Sequence, residues 1–376
     1  MQAVTYQFCT IRNMSPSRVR NGNLYLKNKN MELGNFERVD RLMNQGNLRG
    51  NSFELILRDL KRVEVRSTHD GIEERFIQCE RSHIEDMVGR IRRHGFINFY
   101  GEQRIGEAGP KEEVGVRAGD IGKAMLTSNF SEAINLLMKG RGKRRGKEFV
   151  ENEKIRHMRE TFAKTNGDPV ATLAVFPRSD ALGRERTVLQ GLKRYGKDKP
   201  LEAIRCLHFN IRLFWINAYQ SLVWNKMASE RIKRLGYNAV EGDLYMDENT
   251  REIKVVSKEL SIDIKQVVLP LPGTNVQYPQ HIIGKLYENL LKEDSVSFQK
   301  GVVSESSAKG AYRKLLATPW DFEWEPIPDE ASCDRSDNAG FVSNAKFKFS
   351  LQSGSYATIF LRELMVSTIG RQSKYE

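Results

Sequence analysis

Period-two alternation near both ends of the chain brackets a middle that reads as helical, and this arrangement limits the possible folds more than any single motif. Phe53, Leu55 and Leu57 alternate with Glu54, Ile56 and Arg58, a half-buried strand entered through Gly46-Asn47 and Gly50. Far downstream, Phe341, Ser343, Ala345, Phe347, Phe349 and Leu351 recur at every second position. Between them, Leu201 to Leu235 is the longest helical stretch. Leu207, Ile211, Phe214, Trp215, Ala218, Leu222 and Met227 give it a broad apolar face. Sheet material at the ends with helices between is the pattern an inserted domain leaves, although composition alone does not establish one.

Local signals divide the chain further. Ser82 is placed to cap a helix, with Glu85 three residues on as in a capping box. Ile84, Met87, Val88 and Ile91 form its apolar stripe and Gly95 its stop. A second helical region starts near Gly122, with Ala124, Met125, Leu126, Ala133, Ile134, Leu136 and Leu137 buried. Gly236 ends the long helix, and Glu241-Gly242-Asp243 turns into Leu244-Tyr245. Pro270-Leu271-Pro272-Gly273-Thr274 reads as a rigid turn. Ser304 to Lys309 and Pro328 to Gly340 read as polar surface loops, and Ala357 to Met365 as a helix packed on the terminal sheet. At the start, Tyr6, Phe8 and Thr10 alternate with Gln7, Cys9 and Ile11 in the manner of a strand.

The 376 residues carry a net charge of +12, with 39% apolar and 29% charged content, an ordinary soluble composition. The longest apolar runs, such as Val267 to Pro272, are far below a membrane span. A phosphate polyanion is the natural partner of such a basic surface, and an acidic protein is a further one. Lys139 to Lys147 combines basic residues with three glycines, which suits a solvated loop or a flexible arm on phosphates. Arg12, Arg18, Arg20, Lys27 and Lys29 precede the first acidic residue, Glu32. That start resembles an organelle transit peptide, but the alternation at Tyr6 to Ile11 favours folded protein. Four scattered cysteines and six scattered histidines spell neither a disulfide framework nor a zinc site.

Several residues have the chemistry to hold a base. Asn51 offers a carboxamide and Phe53 an aromatic face, two positions apart and so on one side of a strand. Together they suit a uracil-like edge and ring; equally, Phe53 is core and Asn51 caps a turn. The loop His94 to Gly106 repeats the mixture with Asn98, Tyr100 and Gln103. Arg104 would meet phosphate, fix a carboxylate, or form a surface ion pair. Gly101 permits a turn that a side chain would block. Gly354-Ser355-Tyr356-Ala357-Thr358 opens a helix whose amides suit an anion or simple capping, and Arg362 follows on that helix. Asp243, Asp180 and Asp120 are either turn residues or active carboxylates.

Five stretches resemble the TruD family of pseudouridine synthases, especially its eukaryotic and archaeal branch. They are Ala3 to Gln7; Leu33 to Phe36 with Gly46 to Phe53; Asn98 to Gly106; Asn217 to Asn225 with Gly242-Asp243-Leu244; and Gly354 to Thr358 through Arg362-Glu363-Leu364. The family's Asn-Tyr-Phe-Gly loop appears as Asn98-Phe99-Tyr100-Gly101, with Gln103-Arg104 retained and Ile105 in place of a usual phenylalanine. The resemblance implies an α+β fold, in which a mixed or antiparallel catalytic sheet accepts a largely helical insertion. It places the catalytic domain at positions 1–106 and 311–376 and the insertion at 107–310.

The resemblance also implies the chemistry: isomerisation of uridine to pseudouridine within RNA, without a cofactor or metal. It implies RNA contact by Asn51, Phe53, Asn98, Tyr100, Gln103 and Arg104, and structural or phosphate roles for Gly101, Gly354, Ser355 and Arg362. The expected partner is tRNA, with mRNA or other RNA as further substrates, and no membrane. The expected setting is the nucleus, with mitochondrion or cytoplasm as alternatives, and a monomer is the working expectation. The family's catalytic aspartate lies in a Gly-x-Lys-Asp-x-x-Ala-x-Thr-x-Gln segment. Ala3, Thr5 and Gln7 match its tail, so the Asp position falls immediately before Met1. The expectation is a truncated chain, inactive alone. The alternative is a noncatalytic RNA-binding protein on the same scaffold.

Overall fold

The computed structural model describes residues 4–27, 29–43, 47–68, 71–106, 115–140, 152–177, 182–298, 308–328 and 340–365. It divides into two compact units, residues 1–51 with 352–354, and residues 52–351 with 355–376. In the first unit, α1 (Pro16–Lys27) is followed by a bracket in which the Asn23 carboxamide bonds both the N–H and the carbonyl of Leu33, each at 2.8 Å. The expected strand at Tyr6 to Ile11 is absent. These residues have neither helix nor ladder partner, and Tyr6 and Phe8 are 88% and 77% exposed. Alternation makes a strand only where a neighbouring backbone completes its hydrogen bonds.

The second unit opens with β1 (Gly50–Leu57, from Ser52 onward) and the hairpin β2 (Lys61–Thr68) and β3 (Gly71–Gln78). The helix α2 (Arg81–His94) follows. Ser82 is not its cap: Glu80 holds that position without a side-chain bond, and Glu85 instead pairs with Arg81 at 2.9 Å. The helix begins two residues earlier than a cap at Ser82 would set. Its stripe is as expected, with Ile84, Val88 and Ile91 buried. Gly95 ends it at φ 73°, and a Cβ there would lie 2.5 Å from the Ala317 carbonyl.

Next come β4 (Phe96–Ile97), α3 (Glu102–Ile105), α4 (Ala118–Leu126), α5 (Phe130–Lys139), α6 (Glu153–Lys164), α7 (Pro169–Ala174), α8 (Gly183–Tyr195) and α9 (Pro200–Arg205). The long helix α10 spans Phe209–Leu235. The single helix expected from Leu201 is thus two, broken where the His208 ring accepts from Asn210 N–H and starts the second. Packing of α4 on α10 relies on missing side chains. A Cβ at Gly122 would lie 2.0 Å from the Trp215 carbonyl, and one at Gly119 2.2 Å from Leu222.

The chain then builds a four-stranded antiparallel sheet, ordered β6-β5-β7-β8. It comprises β5 (Leu244–Met246), β6 (Ile253–Val255), β7 (Val267–Leu271) and, after α11 (Ile282–Glu293), β8 (Ala311–Lys314). Pro270-Leu271 is not part of a turn but the end of fully buried β7, and the bend starts at Gly273. Three helix side chains satisfy carbonyls along this segment: Trp224 at Leu269 (3.1 Å), Tyr287 at Pro270 (2.7 Å) and Gln220 at Pro272 (2.7 Å). Such bonds remove the usual penalty for buried, unpaired backbone.

Finally, β9 (Leu316–Ala317) pairs with β4, and β10 (Trp320–Ile327) with β11 (Asn344–Gln352), antiparallel. β11 lies between β1 and β10. Ala345, Phe347, Phe349 and Leu351 are buried as expected, but Phe341 and Ser343 are exposed. The chain before Asn344 bonds with Cys79 and Glu80 rather than β10, which changes its phase. The helix α12 (Ala357–Met365) closes the sheet face, its Phe360 ring 4.1 Å from that of Phe349.

Two hydrophobic cores result. One joins α2, β10, β11 and α12; the other joins α4, α5, α8, α10, β7 and α11. No described helix is long and apolar enough to cross a membrane. Arg141 to Lys147 of the basic stretch, Ser304 to Ser307, Asp329 to Ala339 and Asp180 lie outside the described residues.

Candidate active site

Where the two cores meet, Phe99 packs against both. Its neighbour Asn98, just after β4, is 5% exposed. Asn98 Oδ1 accepts from Arg313 Nη2 at 2.7 Å and from Ser355 Oγ at 3.0 Å, while its Nδ2 donates to the Lys314 carbonyl at 3.3 Å. Arg313 Nε also donates to the Asn98 carbonyl at 2.7 Å. The carboxamide is therefore engaged inside the protein, rather than presented to a base edge as expected. It holds Arg313 and Ser355 in place.

Tyr100 is held as though by an extra strand. Its N–H donates to Asn225 Oδ1 at 2.8 Å, and its carbonyl accepts from Asn225 Nδ2 at 3.0 Å. The ring stands edge-on to Trp224 and Tyr356, at 5.8 and 6.1 Å between centroids. The Arg313 guanidinium lies 4.1 Å from the Tyr100 ring centre, a cation–π contact at close range. Burial pushes the Tyr100 and Tyr356 phenols up, against the pull of the Arg104 and Arg313 charges, so both remain neutral donors near pH 7. Burial pushes Arg313 down, against the pull of the same phenols.

Gly101 is buried, and a Cβ there would lie 2.8 Å from the Tyr356 ring. Its φ is −75°, so close approach rather than a glycine-only turn excludes a side chain. Gln103 is exposed on α3. Arg104, half-buried, lies 5.5 Å from the Phe214 ring centre, and its Nε is buried with no hydrogen-bond partner among the described residues. Arg362 lies 5.6 Å from the Phe99 ring centre.

Phe53 is half-buried, its ring 5.3 Å from Phe349 and inclined by 24°. One face of Phe53 is thus committed to the core. Asn51, exposed, and Gly354, at φ 86°, belong to the first unit. The Ser355 hydroxyl donates to Asn98 Oδ1 at 3.0 Å.

Asp243 is no free carboxylate. It is fully buried, with Arg231 Nε on Oδ1 at 2.8 Å and Arg231 Nη2 on Oδ2 at 2.6 Å. Val240 N–H and His281 Nε2 complete its contacts, each at 2.9 Å. His281 Nδ1 accepts from Ile283 N–H, so the ring proton sits on Nε2 and points at Asp243. Burial alone would raise the Asp243 carboxyl, but the bonds from Arg231 and His281 outweigh it and hold the group below its ordinary value. Asp120 caps α4 by accepting from Arg117 N–H at 2.8 Å.

The family profile for tRNA pseudouridine synthase D (TruD) matches residues 1–364. The chain belongs to the TruD family of pseudouridine synthases. The mouse "Pseudouridylate synthase 7 homolog" is 30% identical over 382 residues, covering 97% of this chain and 53% of that protein. The "Probable tRNA pseudouridine synthase D" of Thermococcus onnurineus (strain NA1) is 29% identical over 381 residues, 96% of this chain and 79% of that one. The crystal structure of the putative TruD protein of Methanosarcina mazei superposes with a TM-score of 0.62 at 25% identity, covering 88% of this chain and 72% of that one. The chain spans about half the length of the animal relatives it matches. The family read from five stretches and the α+β architecture are thereby established.

The TruD resemblance did not single out Arg313, Asn225, Trp224, Tyr356 or Phe214 as parts of the site. Asn225 and Trp224 end one of the five matching stretches and Tyr356 lies in another, so those signals were present. Arg313 sits between Tyr312 and Lys314 in an ordinary strand, with nothing local to mark it.

Proposed function

We propose that this TruD-family chain binds RNA and supplies the uridine pocket of a pseudouridine synthase, with tRNA as its first substrate class. The reaction breaks the bond between ribose C1′ and base N1 and rejoins C1′ to C5. The C5 proton leaves and N1 takes one up, so no cofactor is consumed. Tyr100, Arg104, Arg313 and Tyr356 cluster where the family's Asn98 to Gly106 loop folds, and this arrangement carries the reading. Two guanidiniums and two neutral phenols suit a flipped nucleotide and its phosphate. Extruding the base costs a few kcal/mol, offset by stacking and edge bonds. Phe53, Gln103 and Asn51 are proposed as further RNA contacts, and the helical core around α10 as the insertion into the catalytic sheet.

The reaction needs an attacking carboxylate, and Asp243 does not supply it, since its bonds to Arg231 and His281 fix it in the interior. A displacement near 1 Å in such a site costs about 100-fold in rate. Release of label from C5-tritiated uridine in RNA tests the synthase reading, with this chain alone and with a Gly-x-Lys-Asp segment joined before Met1. Conversion by either form is the expected result. Tight RNA binding with no conversion by either would favour a noncatalytic binder, the reading that the sealed Asp243 also suits.

A further inference from the structure

The two guanidiniums of the site differ in how they are used. Arg313 is turned inward, bonded to the Asn98 side chain and carbonyl and laid over Tyr100. Arg104 is half-buried, yet it makes no ion pair among the described residues. Its guanidinium lies over the Phe214 ring, at 5.5 Å, and its buried Nε has no acceptor among the described residues. The charges that bear on the neighbouring Tyr100 and Tyr356 phenols are those of Arg104 and Arg313, both positive. A guanidinium partly removed from water, with a buried donor unmet and a second cation close by, is an unfavourable arrangement for an empty protein. An oxyanion placed against the guanidinium would cancel charge, through the strongest class of hydrogen bond available to arginine.

We propose that Arg104 seats a phosphodiester oxygen next to the target uridine, on a platform whose orientation is set by Phe214 and by the inward-turned Arg313. This deepens the RNA reading above and rests on it. Arg313 is a positioning residue in this scheme, whereas Arg104 touches the substrate. The Phe214 face restricts the guanidinium plane, so the seat selects a direction as well as a charge. A carboxylate from protein could offer the same chemistry; the phosphate is favoured because the chain's net charge of +12 already suits a polyanion.

The test uses the full chain, a short single-stranded RNA with one uridine, and the same RNA with one uncharged methylphosphonate linkage beside that uridine. Arg104→Met keeps an apolar stem against Phe214 while removing the charge. The neutral linkage is expected to weaken binding by the wild type roughly tenfold or more and to add little in Arg104→Met, because both changes delete one contact. The salt dependence of binding should fall by about one phosphate contact in Arg104→Met. Thermal unfolding should not drop in Arg104→Met, which separates a ligand seat from a packing brace. Fully additive losses from the neutral linkage and Arg104→Met, or an unchanged salt slope, would overturn the seat while leaving the RNA reading intact. A wild-type chain that binds no RNA would sink both.

Discussion

Asn225 bonds the backbone of Tyr100 at both its N–H and its carbonyl, at 2.8 and 3.0 Å, and so fixes the site loop to the long helix α10. A side chain here completes a ladder that no strand supplies. Asn225→Ala leaves two half-buried backbone groups without partners. The expected cost is about 1–3 kcal/mol in urea unfolding. Asn225→Asp keeps the acceptor for the Tyr100 N–H but sets a carboxylate against its carbonyl, so it should rescue little. Recovery of full stability by the aspartate would show that the carbonyl bond is unimportant.

Asn98 is expected to behave as a bracket for Arg313. Asn98→Ala removes the acceptor of Arg313 Nη2 and Ser355 Oγ, at 2.7 and 3.0 Å. Loss of about 1–3 kcal/mol of stability should follow, together, in the RNA reading, with a loss of RNA affinity, because the Arg313 plane is freed from Tyr100. Arg313→Lys retains charge but not the paired Nε and Nη2 bonds, and should resemble Asn98→Ala. The double variant tells the two apart from independent effects. If Asn98→Ala and Arg313→Lys add fully in binding and stability, they do not act through the contact between them.

Sequence periodicity carried the elements that bury one face and failed where partners decide. Ala345, Phe347, Phe349 and Leu351 obeyed the alternation because β10 and α12 give them a constant environment. Phe341 lost the phase because Cys79 and Glu80 take up the chain there. Pro270 looked like a turn residue, but side chains of Trp224, Tyr287 and Gln220 make a strand tolerable there by answering the carbonyls along that segment. In the site, the loop Asn98 to Arg104 was legible as a motif. Its inward wiring was not, because Arg313 lies more than two hundred residues away and bears no local mark.

Phe53 combines a committed face with a half-exposed one. Its ring lies 5.3 Å from Phe349, so truncation loses packing, yet full burial costs do not apply. Phe53→Ala is expected to destabilise by about 1–3 kcal/mol, below the 3–5 typical of a fully buried phenylalanine. Phe53→Leu should restore most of that stability. In the RNA reading, Phe53→Leu nevertheless stays impaired in RNA binding, since the leucine fills volume without stacking on a base. Binding that returns in step with stability would make Phe53 a core residue and remove it from the pocket.

Asp243 offers a pH test of the buried pair with Arg231, joined at 2.6 and 2.8 Å with both side chains fully buried. Its carboxyl is held below the ordinary value in the folded chain. The folded form therefore binds the proton less readily than the unfolded one. The resulting stability is present above the unfolded pKa, near 4, and is lost as pH falls through the lower folded value. Asp243→Asn leaves Arg231 buried without its counter-charge, at an expected cost of about 3–5 kcal/mol near neutral pH. Below about pH 4 the unfolded chain takes up the proton that the folded Asp243 still excludes, so the wild type's advantage shrinks and the gap between the two proteins should narrow. Urea unfolding at pH 7 and pH 3 measures that gap. A gap of equal size at both values would mean that hydrogen-bond geometry rather than the Asp243 charge secures the end of α10.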